Sequence, residues 1–220
     1  LVDFVCHAVP SPVFWQKYIA WQQKNTGKKI GNIRFRDKRH YGYKYSQMVI
    51  EDKNGNIIYH KGVESDPYLR AFFSNLIDRP TCYECKFKKR YRVSDITLWD
   101  CFDVGLKCKQ FDDDIGTTNI LIHTERGYKL LDEISSGSKY AIEADKAVCG
   151  MKELTASVSY NTKRNEVMKY LQNHTMQEVI IKIFPDTVVI KIKRNLRLFL
   201  LKINIYDEVK KWIWIFKKDQ

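Results

Sequence analysis

Phe14, Tyr18 and Trp21 recur at helical spacing directly after Ser11-Pro12, and Gly27 closes the run. Ser suits an N-cap, Pro the first helical position and Gly the stop, so the pattern predicts a helix over residues 12–26 with its aromatic residues in a core. Ile33 and Phe35 then alternate with Arg34 and Arg36, which is a strand pattern. Residues 43–50 alternate again, Asn54-Gly55 follows, and an apolar run returns over residues 57–59. An Asn-Gly between two such runs predicts a hairpin. Asp66-Pro67 opens a second helix, with Leu69, Phe72, Phe73 and Leu76 on one face and Arg79-Pro80 at its end. Residues 81–118 are rich in Cys, Lys, Arg and Asp and have little periodicity, so they read as loops that carry function. Beyond them the pattern predicts a strand over 119–123, a helix over 127–134, a short strand over 140–143 and a polar helix over 161–173. The opening Leu-Val-Asp-Phe-Val reads as the end of a strand, which leads us to expect further chain upstream. The fold class expected is α+β or mixed α/β, a mixed sheet with antiparallel hairpins and flanking helices.

The last segment behaves differently. Val188, Ile190 and Ile192 alternate with Lys191 and Lys193, and Leu196, Phe199, Leu200 and Ile203 then follow helical spacing. Trp212, Trp214 and Phe216 lie among lysines at the end. Two readings stay open: a strand–helix element that packs on a domain, or an amphipathic segment that makes peripheral contact with a membrane surface.

Charge sharpens this picture. The formal net charge is +12, and residues 182–220 hold ten Lys/Arg against four Asp/Glu. The chain therefore has a basic tail rather than a basic domain. No DNA- or RNA-binding signature accompanies the charge, so nucleic acid is not an expected partner. No apolar run approaches the roughly 20 residues of a membrane span. With 44% hydrophobic residues in 220, the chain can bury a core. No secretory signal is visible, which makes the expected compartment the reducing cytoplasm. The six cysteines, Cys6, Cys82, Cys85, Cys101, Cys108 and Cys149, then read as metal or redox groups rather than a disulfide framework.

Cys82-Tyr83-Glu84-Cys85 lets two thiolates turn onto one centre, as iron–sulfur and zinc sites require. The same spacing also suits a redox pair or two buried thiols. Lys86, Lys88, Lys89, Arg90 and Arg92 follow, and they would favour thiolates and offset the charge of a ligated cluster, or else form a solvated loop. Cys6 leaves an apolar strand where Ser11-Pro12 opens a helix, a place for a ligand, a nucleophile or a small buried side chain. Asp95 and Asp100 flank a short apolar stretch, and Gly116-Thr117-Thr118 follows three aspartates. That turn offers backbone and hydroxyl donors to a phosphate, or is simply an acidic turn.

Taken together, Cys6-His7-x-Val9-Pro10-Ser11, Phe35-Arg36-Asp37-Lys38, Cys82-x-x-Cys85-Lys86-Phe87-Lys88, Arg92-x-Ser94-Asp95-Ile96-Thr97-Leu98 and Asp113-Asp114-x-Gly116-Thr117 resemble, in order, the C-terminal domain of the coenzyme F-420 hydrogenase/dehydrogenase beta-subunit family. The resemblance covers about residues 2–130 and weakens toward Asn173, giving a family-like domain over 1–175, truncated at its start, and a basic amphipathic tail over 176–220. It implies an iron–sulfur flavoprotein oxidoreductase that passes electrons between a [4Fe-4S] cluster and FAD, then to a deazaflavin or another soluble acceptor. By position it implies Cys6, Cys82 and Cys85 as cluster ligands, with a fourth ligand and an electron-donor protein or ferredoxin-like domain upstream. Lys86, Lys88, Arg92, Ser94, Asp95, Thr97, Gly116 and Thr117 are the residues it implies for the flavin. Ala8, Trp99 and Cys101 depart from the family pattern, and Trp99 would fill space where the family has a small residue. The alternative implied is a diverged, non-catalytic partner-binding relative, linked to surface-polysaccharide biosynthesis. Cys101 and Cys108, outside the matched positions, read as buried thiols.

Overall fold

The computed structural model of the chain describes residues 1–203 apart from 44 and 46, together with 205, 206, 208 and 209. The strands are β1 (Val2–Phe4), β2 (Ile30–Asp37), β3 (Gln47–Asp52), β4 (Ile57–Gly62), β5 (Ile96–Asp100) and β6 (Thr118–Ile122). The helices are α1 (Pro12–Thr26), α2 (Pro67–Phe73), α3 (Val104–Lys107), α4 (Glu125–Glu133), α5 (Ala144–Val148), α6 (Lys152–Thr155), α7 (Arg164–Asn173), α8 (Met176–Ile183) and α9 (Val188–Lys202). One mixed sheet, one antiparallel sheet and the helices make an α+β fold. The chain divides into two compact units, Leu1–Ser11 with Ile77–Arg164 and Pro12–Leu76 with Asn165–Gln220.

In the first unit the sheet runs β1-β5-β6, with β1 parallel to β5 and β5 antiparallel to β6. As the central strand, β5 keeps Ile96, Thr97 and Trp99 buried across both of its faces, which removes the polar alternation by which a strand is recognised. This strand therefore sits inside the segment expected to be loop. One face carries Trp99 and Leu121, which pack with Ala147 and the half-buried Val5, Ile142, Val148 and Met151. Against the other lies α4, whose Thr124 N-cap accepts the Gly127 N–H at 3.1 Å. A Cβ on Gly127 would stand 2.4 Å from the Asp95 carbonyl oxygen, so only glycine allows this approach. Residues 140–143, expected as a strand, form none: Ile142 instead packs on the Trp99 cluster.

The second unit holds the antiparallel sheet β2-β3-β4 and the predicted helix α1. The expected hairpin is present as β3 and β4, joined through Asn54-Gly55, with Gly55 at φ +82. Of the strand expected over 43–50, β3 begins only at Gln47. Residues 44 and 46 lie outside the described residues. Asp66 caps α2 by accepting the Leu69 N–H at 2.7 Å, and it also accepts the Tyr18 and Tyr59 hydroxyls at 2.6 and 2.8 Å. Burial pushes this fully buried carboxyl up, against the pull of those three donors. A cavity of about 370 Å³ opens in this unit, lined among others by Trp21, Tyr59, Lys61, Ser65, Phe184 and Asp186.

The tail departs from the sequence pattern. Residues 188–192, which alternate like a strand, begin α9, because the Thr187 hydroxyl accepts the Ile190 N–H and starts the helix there. Before it stands α8, with a full capping box between Thr175 and Glu178. Trp212, Trp214 and Phe216 lie outside the described residues.

Candidate functional site

The site is built at the point where β1 ends. The Val5 N–H continues the ladder to the Leu98 carbonyl at 2.9 Å, and Cys6 follows at once. The chain then pairs antiparallel with residues 77–79 through Ser11 N–H to the Ile77 carbonyl at 2.7 Å and Arg79 N–H to the Val9 carbonyl at 2.9 Å. Pro80–Cys82 makes a turn of 3-10 helix, which swings Cys82 back toward this segment. There the Val9 N–H donates to Cys82 Sγ at 3.2 Å. Cys85 is fixed by its own N–H, which donates to Ser157 Oγ at 2.9 Å.

Cys6, Cys82 and Cys85 consequently share one electrostatic neighbourhood. Burial pushes the Cys6 thiol up; Lys88 pulls it down, Cys82 and Cys85 push it up, and Arg92 pulls it down. Three thiols with two cations is the donor chemistry of an iron–sulfur centre. Among the described residues, however, no group of three or more His, Cys, Asp and Glu side chains stands ready to hold a metal ion. The ligand types fit a cluster; the set is gathered but not closed.

Lys88 and Arg92 are structural clamps on this loop. Lys88 Nζ donates to the carbonyl of Cys6, to that of His7 at 3.3 Å and to that of Glu153 at 3.0 Å. Arg92 Nη1 pairs with Asp3 Oδ2 at 3.0 Å and reaches the Phe4 carbonyl at 3.3 Å, while Nε donates to the Lys89 carbonyl at 3.0 Å. Its guanidinium is thus engaged inside the protein. Lys86 is exposed, and among the described residues its ammonium has no hydrogen-bond or ion-pair partner.

Asp3 leads to a group that the sequence did not single out. Asp3 and Thr97 are register partners across β1 and β5, and the Thr97 hydroxyl donates to Asp3 Oδ1 at 2.5 Å. Thr97 lies opposite Leu121, so His123, two residues on, falls on the same face, with Nε2 2.8 Å from Thr97 Oγ1. Partial burial would raise Asp3, but its bonds to Thr97 and Arg92 and the Arg92 charge outweigh this and hold its carboxyl below the usual range. Asp3 is therefore ionised and accepts the Thr97 O–H, which leaves Thr97 Oγ1 to accept from His123 Nε2–H. Burial lowers His123, Asp3 opposes this, and Arg92 adds to it. The imidazole is neutral near pH 7, with Nδ1 as its basic atom.

The remaining predicted residues divide. Ser94 is buried, and its hydroxyl lies by the Asp3 carboxyl, which it helps to hold low. Asp95 accepts the Thr124 hydroxyl at 2.6 Å and so ties β5 to the α4 cap. Gly116 adopts φ +114, and the Thr117 hydroxyl is given to the Phe111 carbonyl at 3.0 Å. Trp99 fills the core rather than a ligand space, and its Nε1 has no partner among the described residues. Cys101 is buried, and burial raises its thiol first of all; Cys108 is half-buried. Sequence reasoning also missed Asp78, whose two carboxylate oxygens are buried without hydrogen bonds among the described residues. Burial pushes it up to about 6 against the pull of Arg164. Its one sequence signal was its place beside Arg79-Pro80, which pointed only to a helix end.

No curated protein and no solved structure matches the chain. The family model that describes the C terminus of the coenzyme F420 hydrogenase/dehydrogenase beta subunit matches residues 1–147, the span that holds the thiol loop, the Asp3–Thr97–His123 chain and the β1-β5-β6 sheet. The protein belongs to this family.

Proposed function

We propose that this chain is the electron-transfer part of an iron–sulfur flavoprotein, in which Cys6, Cys82 and Cys85 ligate a [4Fe-4S] cluster. The observation that supports the reading is geometric: the Val9 N–H reaches Cys82 Sγ at 3.2 Å and Lys88 Nζ holds the Cys6 and His7 carbonyls, which brings the Cys6 segment against the Cys82–Cys85 turn. When bound, such a cluster supplies one-electron transfer, and hydrogen bonds to its sulfurs tune its potential. The residues of this chain do the rest. The Val9 N–H stabilises the Cys82 thiolate, Lys88 fixes the Cys6 turn, and Arg92 and Asp3 tie that turn to β1. With FAD bound, such a protein would take electrons from a donor protein or a ferredoxin-like domain and deliver them to a deazaflavin or another soluble acceptor.

For the flavin, the reading rests on family membership more than on side chains. Lys86 is the exposed cation available to its pyrophosphate, with the Gly116-Thr117 turn as a second donor site. Lys88, Arg92, Asp95 and Thr97 spend their polar groups on bonds within the protein and Ser94 is buried, so their part would be to hold the backbone around the flavin rather than to grip its phosphates. The cytoplasm is the compartment this chemistry requires. A second reading, a non-catalytic partner-binding relative, is favoured by the Trp99 core and by the unclosed thiol set.

Purification without oxygen, followed by iron and acid-labile sulfide determination, tests the first reading. Iron and sulfide in equal amounts, both lost in Cys82→Ser and both kept in Cys101→Ser, are expected. Stoichiometric zinc without sulfide would overturn it, and protein free of metal would favour the second reading.

A further inference from the structure

The helix α9 (Val188–Lys202) has its amphipathic character inverted. Its half-buried side includes Ile190, Arg194, Arg197, Leu198 and Leu201. The two arginines there are used in ion pairs, Arg197 with Glu64 at 3.1 Å and Arg194 with Asp186 at 3.8 Å. Arg197 also lies over the Tyr45 ring at 5.5 Å. The opposite side is apolar and open. Val188 is 70% exposed, Ile192 60%, Leu196 55%, Phe199 57% and Ile203 43%. Their spacing of four, four, three and four residues makes one continuous stripe along the helix. No residue of α9 is fully buried.

The charges say what covers this stripe. At about 100° per residue, Lys193 falls on one border of the stripe and Lys191 and Lys202 on the other. The helix has five basic residues, Lys191, Lys193, Arg194, Arg197 and Lys202, and no acidic one. A protein groove that took the stripe would have to meet lysines along both rims. An anionic lipid surface meets them without special design, since the lysine stems lie along the apolar boundary while their ammonium groups reach the headgroups. The sequence continues in the same style, with Trp212, Trp214 and Phe216 between Lys210-Lys211 and Lys217-Lys218. Tryptophan favours the membrane–water interface, and basic residues favour anionic headgroups. Among the described residues no helix is long and apolar enough to cross a membrane, so α9 would lie along the surface.

We propose that α9 is an interfacial helix that holds this protein on anionic lipid surfaces, with Val188, Ile192, Leu196, Phe199 and Ile203 facing the acyl boundary. This does not depend on the redox reading. The test is co-sedimentation of the whole chain with vesicles of equal parts phosphatidylglycerol and phosphatidylcholine, against vesicles of phosphatidylcholine alone. The wild type is expected to sediment with the anionic vesicles and to stay behind with the neutral ones. Raising salt from about 0.1 M to about 1 M shortens screening from about 10 Å to about 3 Å and should weaken the binding. Leu196→Gln with Phe199→Gln leaves the net charge unchanged and should lower the partition coefficient at least about tenfold, because buried apolar area is lost. Lys191→Gln with Lys193→Gln and Lys202→Gln should also lower it. Circular dichroism and the thermal midpoint confirm that each variant is folded. If the double Gln variant binds as well as the wild type, general adsorption of a basic protein is the explanation and the proposal fails. It fails too if the wild type leaves the vesicles alone, or if it forms a dimer in solution that the double Gln variant abolishes, since a second copy then covers the stripe.

Discussion

Thr97 carries more of the first unit than its size suggests. It is fully buried, it donates to Asp3 and it accepts from His123, so it joins β1, β5 and the residue that follows β6 on one face. Thr97→Val keeps the shape and removes the hydroxyl, which leaves Asp3 and His123 each short of a partner. The expected cost is about 1–3 kcal/mol in denaturant unfolding, the usual penalty for a buried group left unsatisfied. Thr97→Ser should recover most of it. Asp78 gives a pH signature of its own. Its folded value of about 6 stands above the ordinary aspartate value near 3.9. Between those limits the unfolded chain releases a proton that the folded chain keeps, so stability falls as pH rises and levels off above the folded value. The slope from this group cannot exceed about 1.4 kcal/mol per pH unit. Denaturation midpoints of wild type and Asp78→Asn across this window should diverge with rising pH, in favour of the variant. Neither role was legible in the sequence. Thr97 and Asp3 meet only because β1 and β5 are in register, and Asp78 is buried by residues distant in the chain.

Elements were legible where local chemistry decides them and opaque where tertiary burial does. Ser11-Pro12, Asp66-Pro67 and Asn54-Gly55 mark the starts of α1 and α2 and the β3–β4 hairpin correctly, because caps and turns act within a few residues, whereas α2 ends at Phe73 and not at the expected Arg79-Pro80. By contrast, β5 has no polar face to betray it, and the start of α9 imitates a strand until Thr187 is recognised as its cap. Two substitutions separate these kinds of control. Thr175→Ala removes one half of the α8 capping box, leaves the Glu178 N–H without its acceptor, and should cost about 1 kcal/mol. Gly127→Ala acts through packing. Its Cβ would meet the Asp95 carbonyl oxygen at 2.4 Å and carbon at 3.0 Å, and backbone cannot swing aside as a side chain can. Alanine favours a helix intrinsically, so a gain would follow if propensity decided. We expect a loss of about 1–3 kcal/mol instead, as overpacking forces α4 off the sheet. Thermal or denaturant unfolding of the two variants reads both effects.

At the scale of the whole molecule, the thiol loop draws on residues far apart in the chain. Residues 1–11 reach their partners only at 77–164, with the second unit's first segment intervening in sequence. The resemblance pointed to Cys6 and the Cys82/Cys85 pair as one expected set, and all three fall within the matched span. Spacing alone did not, because Cys6 lies more than seventy residues from its companions. The six cysteines now differ enough for chemical labelling to sort them. Cys149 is exposed, Cys6, Cys85 and Cys108 are half-buried, and Cys82 and Cys101 are buried. Alkylation needs both access and thiolate. In protein purified without oxygen, Cys149 should be labelled first, Cys108 more slowly, and Cys6, Cys82 and Cys85 hardly at all if a cluster holds them. Chelation of the metal should then raise labelling of Cys85 and Cys6 about tenfold or more, as ligated thiolates become available. Cys6 should trail Cys85, because burial raises its thiol. Cys101 should stay slow throughout, since burial both hides and raises it. Peptide mass spectrometry follows all six at once. If chelation speeds Cys101 or Cys108 as much as Cys85, the ligands are other than the three thiols at the end of β1. If it speeds none of them, the cluster assignment falls while the fold that gathers those thiols remains.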